Sequence, residues 1–159
     1  MSLPSSLYLH LPWCVKKCPY CDFNSHVAGS LEDRKKYIRI LQKDITMEGK
    51  RFAGAVLKTI FIGGGTPSLF EPIEINEILG YIKTQFIFSD DIEITMETNP
   101  GSLEYKDLSE YRLAGVNRLS IGAQSFNHDS LQLLGRIHGP AEIFSCYKEA
   151  QLANFESIN

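Results

Sequence analysis

The chain alternates short β-type runs with longer helical runs from end to end, and this alternation limits its possible folds more than any other feature. One of the β-type runs, Ile92–Glu97, has apolar and polar residues in strict turn, which is the period of a half-buried strand. Strands separated by helices pair in parallel through right-handed crossovers. The sequence therefore predicts an α/β fold with a parallel sheet. The predicted strands are Leu7–Leu11, Lys58–Ile62, Ile92–Glu97, Val116–Ile121 and a run beginning near Asn154.

Helices are predicted between these strands from their end signals and apolar spacing. Ser30 followed by Asp33 resembles a capping box. Gly115 and Gly135 are typical of positions just past a helix end, and Pro140 suits a first turn. The remaining signals are the N-caps Ser102 and Asn127 and four sets of apolar positions, namely Ile38, Leu41 and Ile45; Ile75, Ile78, Leu79, Ile82 and Phe86; Leu108 and Tyr111; and Ile143, Phe144 and Tyr147.

The pattern contains about four complete βα units and the start of a fifth strand. A parallel sheet is normally buried on both faces, so a last strand of only a few residues is unusual. We therefore expect residues 1–159 to form one incomplete domain, with a further C-terminal region beyond Asn159.

Composition and charge disfavour several classes of partner. The chain has 159 residues, 43% of them hydrophobic, and a net charge of −3, so neither disorder nor binding to nucleic acid is expected. The Lys16-Lys17 pair is interpreted as solvated surface. No run approaches the ~20 apolar residues of a membrane span, and residues 1–6 do not have the form of a signal peptide. We expect a cytoplasmic protein without an integral membrane segment, whose clustered cysteines serve metal or redox chemistry.

Three cysteines lie in the segment Cys14-Val-Lys-Lys-Cys18-Pro-Tyr-Cys21, directly after the first predicted strand. Iron–sulfur clusters are held by thiolates and normally use four, so three would leave one iron open for a substrate or cofactor. One alternative is zinc bound with His10 or His26, although zinc sites usually pair two cysteines with a distant second pair. The other is three unrelated buried thiols, which the short polar loop disfavours. Cys146 is interpreted as a core residue of a helix.

Glycine and polar residues follow the other predicted strands. The run Gly63-Gly64-Gly65-Thr66-Pro67 follows the second predicted strand, at the end where parallel folds bind ligands, and glycine lets the backbone approach a ligand closely. It lacks the lysine of a P-loop and the spacing of a dinucleotide motif, so a phosphate site is disfavoured. Glu97 ends the third strand, Gln124 follows the fourth, and Arg136 lies 12 residues farther along. Taken singly, each is explained as well by a surface charge or a loop cap.

The segments Tyr8-Leu-His-Leu-Pro-Trp-Cys14 and Cys18-Pro-Tyr-Cys21-Asp-Phe23 resemble the opening of radical S-adenosylmethionine (SAM) proteins of the coproporphyrinogen III dehydrogenase-like branch. The resemblance extends to Asn159 and implies the N-terminal part of a partial TIM-type barrel. It also implies a [4Fe–4S] cluster on Cys14, Cys18 and Cys21, with one iron open to SAM. The residues that it implies in SAM binding are Tyr8, Tyr20, Gly64, Gly65, Thr66, Glu97, Gln124 and Arg136.

Specific roles follow from the same resemblance. Tyr20 would pack beside the SAM adenine, and the glycine run would hydrogen-bond its amino group through the backbone. Glu97 or Gln124 would accept from the ribose hydroxyls, and Arg136 would pair with the SAM carboxylate.

Two details favour the HemW heme-chaperone group within this branch. The dehydrogenases carry a fourth cysteine two places after the third, where this chain has Phe23, and they have a longer segment before the first strand. The phrase Cys21-Asp-Phe-Asn-Ser-His26 is similar to that of the chaperones. The resemblance implies heme or porphyrin as cargo, and heme-acceptor proteins and an electron donor such as flavodoxin or ferredoxin as partners. Oxidative decarboxylation of coproporphyrinogen III and a structural zinc protein are the alternatives.

Overall fold

The computed structural model describes residues 3–101 and 107–159, and its main feature is a five-stranded sheet. The sheet has the order β1-β4-β5-β6-β7, and all neighbouring strands run parallel. The predicted α/β fold with a parallel sheet is therefore confirmed. The elements are β1 (Ser6–Leu11), β2 (Trp13–Cys14), β3 (His26–Val27), α1 (Leu31–Arg51), β4 (Val56–Gly64), α2 (Pro72–Gln85), β5 (Ile87–Thr98), α3 (Leu108–Leu113), β6 (Arg118–Ile121), α4 (His128–Leu133), α5 (Pro140–Leu152) and β7 (Ser157–Ile158).

The two faces of the sheet have opposite character because side chains alternate along each strand. The face that packs against the helices is apolar; one row of register partners across it is Leu9, Ile62, Met96 and Leu119. The adjacent row on the other face is Tyr8, Phe61, Thr95 and Arg118. Helices on one face and a largely polar second face are the arrangement of a partial barrel, whose second face lines the interior.

The helix ends follow their sequence signals. Ser30 and Asp33 form the capping box, with the Ser30 N–H donating to Asp33 over 2.9 Å and the Asp33 N–H donating to Ser30 over 3.2 Å. Asn127 caps α4, and Gly135 beyond that helix has a φ of 71°. The predicted cap Ser102 lies outside the described residues, and α3 begins at Leu108 with Asp107 as its cap. No helix in the described ranges is both long and apolar enough to cross a membrane.

Several boundaries differ from the sequence predictions. Strand β4 extends two residues farther at each end than predicted, and β6 begins at Arg118 rather than Val116. Phe86 is the C-cap that follows α2 rather than a residue within the helix, and β5 starts directly after it at Ile87, five residues earlier than predicted. The polar residues between Phe88 and Ile92 conceal this part of the strand, where the register with β4 also shifts. The fifth strand starts at Ser157 rather than near Asn154, because Asn154 has a φ of 58° and forms a turn that asparagine tolerates better than most residues.

The cysteine loop is tied down at both ends by a short ladder that the sequence does not reveal. Strands β2 and β3 pair Trp13 with His26 and Cys14 with Val27. The Ala28 N–H donates to the Cys14 carbonyl over 2.8 Å, and the His26 N–H donates to the Pro12 carbonyl over the same distance. Residues 14–26 therefore form a closed loop above the carboxyl end of β1.

Candidate functional site

A cavity of about 250 Å³ opens where the cysteine loop faces the carboxyl ends of the sheet strands. Most of the site residues predicted from the sequence meet there, although they come from separate parts of the chain. Tyr8 and Gly64 do not line it. The predicted residues that do are Cys14, Cys18, Cys21, Tyr20, Gly65, Thr66, Glu97, Gln124 and Arg136.

The three loop cysteines belong to the wall of this cavity and form no disulfide. Cys14 is buried, and Cys18 and Cys21 are half-buried. Among residues 3–101 and 107–159, no group of three or more His, Cys, Asp or Glu side chains is arranged to hold a metal ion. A [4Fe–4S] cluster puts each thiolate on a different iron, so its ligands surround a volume instead of meeting at one point. Thiols on the wall of a cavity fit that requirement.

The cysteine loop is also held from inside. The Cys21 N–H donates to the Cys18 carbonyl over 3.1 Å, which closes a turn between two of the thiols. The Lys17 ammonium donates to the Phe23 carbonyl over 3.3 Å and to the Ser25 carbonyl over 3.4 Å. Lys17 is thus exposed, as the sequence interpretation has it, but it also stabilises the loop through these two hydrogen bonds, which the sequence does not indicate.

The glycine run brings the end of β4 against the start of the cysteine loop. Gly64 has a φ of 118°, and a Cβ there would lie 2.8 Å from the His10 ring. A Cβ on Gly65 would lie 2.6 Å from the Trp13 carbonyl oxygen. The Thr66 N–H donates to that same oxygen over 2.7 Å. Glycine is therefore required at both positions by packing within the protein itself, whether or not a ligand also approaches this backbone.

Tyr8 and His10 form a hydrogen-bonded pair on the polar face of β1. The His10 Nε2 lies 2.7 Å from the Asn24 carbonyl, which accepts only, so this nitrogen carries the hydrogen. In the neutral ring Nδ1 is then an acceptor, and the Tyr8 hydroxyl donates to it over 3.0 Å. His10 thus joins β1 to the cysteine loop and leaves the lone pairs of the Tyr8 oxygen directed away from the ring.

Glu97 brings a partly buried carboxyl to the cavity. Burial raises its pKa above the usual 4.5, while the Gly64 N–H, which donates to Oε2 over 3.2 Å, and the nearby His10 act in the opposite direction. A carboxylate in this position is short of hydrogen-bond donors for an ionised group. It is therefore well suited to accept hydrogen bonds from a ligand's hydroxyl or amino groups.

Arg136 reaches from the loop after α4 to both sides of the cavity. Its Nη2 donates to Asn99 Oδ1 over 2.6 Å and to the Gly122 carbonyl over 2.8 Å. Its Nη1 donates to the Tyr20 hydroxyl over 3.4 Å and to Cys18 Sγ over 3.5 Å. Its Nε is buried and has no acceptor among the described residues. Asn99 is thus the main anchor of this side chain.

Gln124 occupies a tight turn after β6 and has a φ of 65°, which is uncommon for a residue other than glycine. The turn is supported by His138, whose Nε2 lies 3.4 Å from the Ala123 carbonyl. Burial lowers the pKa of His138, with the Arg136 charge acting in the same direction, so its ring stays neutral at pH 7. A buried neutral histidine therefore holds the strained segment that presents Gln124 to the cavity.

We expect Glu97→Gln to weaken SAM binding while leaving the protein without ligand at least as stable at pH 7. Because the folded-state pKa of Glu97 is raised, its contribution to stability is present below pH 4.5 and lost as the pH rises through the folded-state value. The amide removes that cost and still accepts from Gly64. Loss of charged hydrogen bonds to a ligand corresponds to about 10- to 100-fold in affinity. Calorimetry with SAM and thermal unfolding measure the two effects separately.

Glu93→Gln is the matched control, since Glu93 lies on the same face of β5 and pairs with Arg118 over 3.5 Å outside the cavity. Its SAM affinity should equal that of the unmodified protein. Equal affinities for the Glu97 and Glu93 variants would show that Glu97 does not contact SAM.

The family model described as "Radical SAM superfamily" matches residues 8–159. The chain is 49% identical to the heme chaperone HemW of Haemophilus influenzae and 46% identical to that of Escherichia coli, over 98% of its own length in both cases. It spans about two fifths of those relatives, 42% and 41% of their lengths. It is also 38% identical to the mitochondrial radical S-adenosyl methionine domain-containing protein 1 of Danio rerio, of which it covers 34%.

Solved structures show the same fold. The radical SAM enzyme coproporphyrinogen III oxidase (HemN) of Escherichia coli superposes with a TM-score of 0.89 at 32% identity, over 99% of this chain and 36% of the enzyme. The cobalamin-dependent radical SAM enzyme OxsB superposes with a TM-score of 0.56 at 15% identity, over 96% of this chain and 23% of that protein. The second likeness concerns the fold alone.

Proposed function

The chain belongs to the radical SAM superfamily, and we propose that Cys14, Cys18 and Cys21 hold a [4Fe–4S] cluster with one iron open to SAM. The observation that carries this proposal is that all three thiols share a single cavity with Glu97 and Arg136. When bound, the cluster and SAM supply one-electron reductive cleavage chemistry. Four free thiols are consistent with a reducing cytoplasm.

The residues of the cavity have distinct roles toward SAM. The Glu97 carboxylate accepts from hydroxyl or amino groups, and the Arg136 guanidinium, which lines the same cavity, supplies the positive charge that would pair with the SAM carboxylate. Gln124 adds an amide held by its turn, and Tyr20, at 44% exposure, offers a ring face beside the cluster loop. Gly65 and Thr66 line the cavity next to them. Gly64 and Tyr8 lie outside its lining and would act on SAM only indirectly, Gly64 through its N–H to Glu97 and Tyr8 through its hydrogen bond with His10.

For the whole protein we propose a HemW-type heme chaperone that binds heme or a porphyrin and delivers it to acceptor proteins. Support comes from the identities of 49% and 46% with proteins of that name. Residues 1–159 would then be the first part of its radical SAM core, with about four βα units. An electron donor of the flavodoxin or ferredoxin kind would reduce the cluster.

Oxidation of coproporphyrinogen III is the second candidate, and the superposition on HemN favours it. Phe23 argues against it: this side chain lines the cavity and is 62% exposed, where the resemblance to the dehydrogenases would require a fourth cysteine. A phenyl ring has no thiol, so any chemistry that needs the thiol at this position is lost.

The experiment that tests the proposal is anaerobic reconstitution with iron and sulfide, followed by EPR of the dithionite-reduced protein with and without SAM. We expect a [4Fe–4S]¹⁺ signal that changes when SAM is added, because SAM binds the open iron. A cluster whose signal is indifferent to SAM would contradict the open-iron site. Supplying coproporphyrinogen III and then heme with an apo-cytochrome separates the two candidates, since only an oxidase forms protoporphyrinogen and only a chaperone transfers heme.

A further inference from the structure

The guanidinium of Arg136 is fixed between the cysteine loop and the ends of two strands. Two short hydrogen bonds from Nη2, to Asn99 at the end of β5 and to Gly122 after β6, set its plane. Asn99 in turn donates to Thr66 Oγ1 over 3.0 Å, so the anchor extends to the glycine run. With one edge held in this way, Nη1 is left to face Cys18 Sγ and the Tyr20 hydroxyl.

Two glycines near the contact between Arg136 and Cys18 provide the space that it needs. Gly135 has a φ of 71°, and a Cβ there would lie 2.9 Å from the Pro19 ring, so the turn that carries Arg136 packs directly on the cysteine loop. A Cβ on Gly122 would lie 2.6 Å from Asn99 Oδ1, in the middle of the anchor. Both positions therefore need glycine for Arg136 to reach Cys18, whether or not a ligand is present.

We infer that Arg136 is a positioning residue for the cluster itself: its N–H toward the Cys18 sulfur raises the cluster's reduction potential. This inference rests on the proposed function, since it requires a cluster on Cys18. Hydrogen bonds to cluster sulfurs and nearby charge are among the factors that set the potential of an iron–sulfur centre. A guanidinium is always charged, and both its charge and its N–H stabilise the reduced cluster, which is the more negative form.

Arginine suits this role better than lysine because its planar fork donates in two directions at once. One edge is committed to Asn99 and Gly122 while the other faces the thiolate, which a single ammonium cannot reproduce. The contact also differs from pairing with the SAM carboxylate, because it needs no SAM. A measurement on the SAM-free cluster therefore isolates it.

The test is an EPR-monitored redox titration of the reconstituted, SAM-free protein, comparing the unmodified chain with Arg136→Gln. We expect the variant to have a lower potential, with the ratio of reduced to oxidised cluster at a given potential about tenfold smaller, which for a one-electron couple is about 59 mV. Arg39→Gln removes the same charge from an exposed site on α1, where Arg39 pairs with Glu32, and should leave the potential unchanged. An unchanged potential in Arg136→Gln would overturn the inference, even if SAM affinity falls.

Arg136→Lys is the second variant and decides the case if Arg136→Gln takes up no cluster. It keeps the charge but cannot hold both the anchor and the thiolate, so we expect a potential below that of the unmodified protein. A potential equal to that of the unmodified protein would show that the hydrogen bond has no part, which also overturns the inference. If the unmodified chain itself takes up no cluster, the proposed function fails rather than the role of Arg136.

Discussion

Replacing Cys18 by alanine is expected to abolish cluster assembly while leaving the fold intact. Cys18 is half-buried in a loop whose ends are pinned by the pairing of β2 with β3, so its thiol adds little to the core. Two remaining thiolates and no fourth ligand would not retain a [4Fe–4S] cluster. We expect iron and sulfide to fall to background after reconstitution, with loss of the EPR signal and an unchanged far-ultraviolet circular dichroism spectrum.

Cys146→Ala is the matched control, because the chain carries a fourth cysteine in a different setting. Cys146 is fully buried on α5, between Ile143 and Ala150 on the same helix face. Its replacement leaves a small cavity and should cost about 1 kcal/mol of stability, yet the variant should assemble the same cluster as the unmodified protein. Retention of a full cluster in the Cys18 variant would overturn the ligand assignment, as would loss of the cluster in both variants to the same extent.

The parts of the fold that could be predicted from sequence are those governed by local chemistry. The capping box at Ser30 and the turn at Gly135 depend on residues within a few positions of one another, and the structure has both where the sequence places them. The first part of β5 could not be predicted, because it does not depend on local chemistry. Its residues Asp90 and Asp91 are exposed and polar, and they lie between two stretches that pair with β4, at Phe88 and from Glu93 onward, more than 30 residues after their partners.

The candidate site shows the same division. Cysteine spacing singles out the three thiols, and the family resemblance implies ligand binding by Glu97, which the structure places on the same cavity. The sequence gives no sign that Arg136 meets Cys18, because 118 residues separate them and the contact depends on how a turn packs against a loop. The anchoring role of Asn99 is hidden likewise, since it exists only once β5 and β6 are adjacent.

Gly65→Ala is expected to be among the most destabilising single substitutions in this chain. A Cβ at this position would lie 2.6 Å from the Trp13 oxygen and 2.7 Å from the carbonyl carbon and oxygen of Pro12. All three are backbone atoms, so no side-chain rotation relieves the clash. The Gly65 N–H also donates to the Leu11 carbonyl over 2.8 Å, and any shift would strain this link between β4 and β1. We expect a loss of about 3 kcal/mol or more in the free energy of unfolding.

Gly80→Ala shows what the same chemical change does where there is room. Gly80 lies in α2, and nothing stands within 4 Å of a Cβ built on it. Alanine in an exposed helix interior should stabilise the protein by about 0.5–1 kcal/mol. Anaerobic urea unfolding of the cluster-free proteins compares the two variants directly, and the difference between them should be about 4 kcal/mol.

The stability of Gly65→Ala also distinguishes two explanations for glycine at this position, namely packing within the protein and approach of a ligand. If Gly65 were needed only so that a ligand could approach the backbone, Gly65→Ala would lower SAM affinity and leave the ligand-free protein within about 1 kcal/mol of the unmodified chain. The structure gives a different reason, because the volume that a Cβ would occupy is already taken by the chain itself at Pro12 and Trp13. Loss of stability in the cluster-free state would show that the glycine run first joins β4 to the cysteine loop. Any contact with SAM would then be built on that junction.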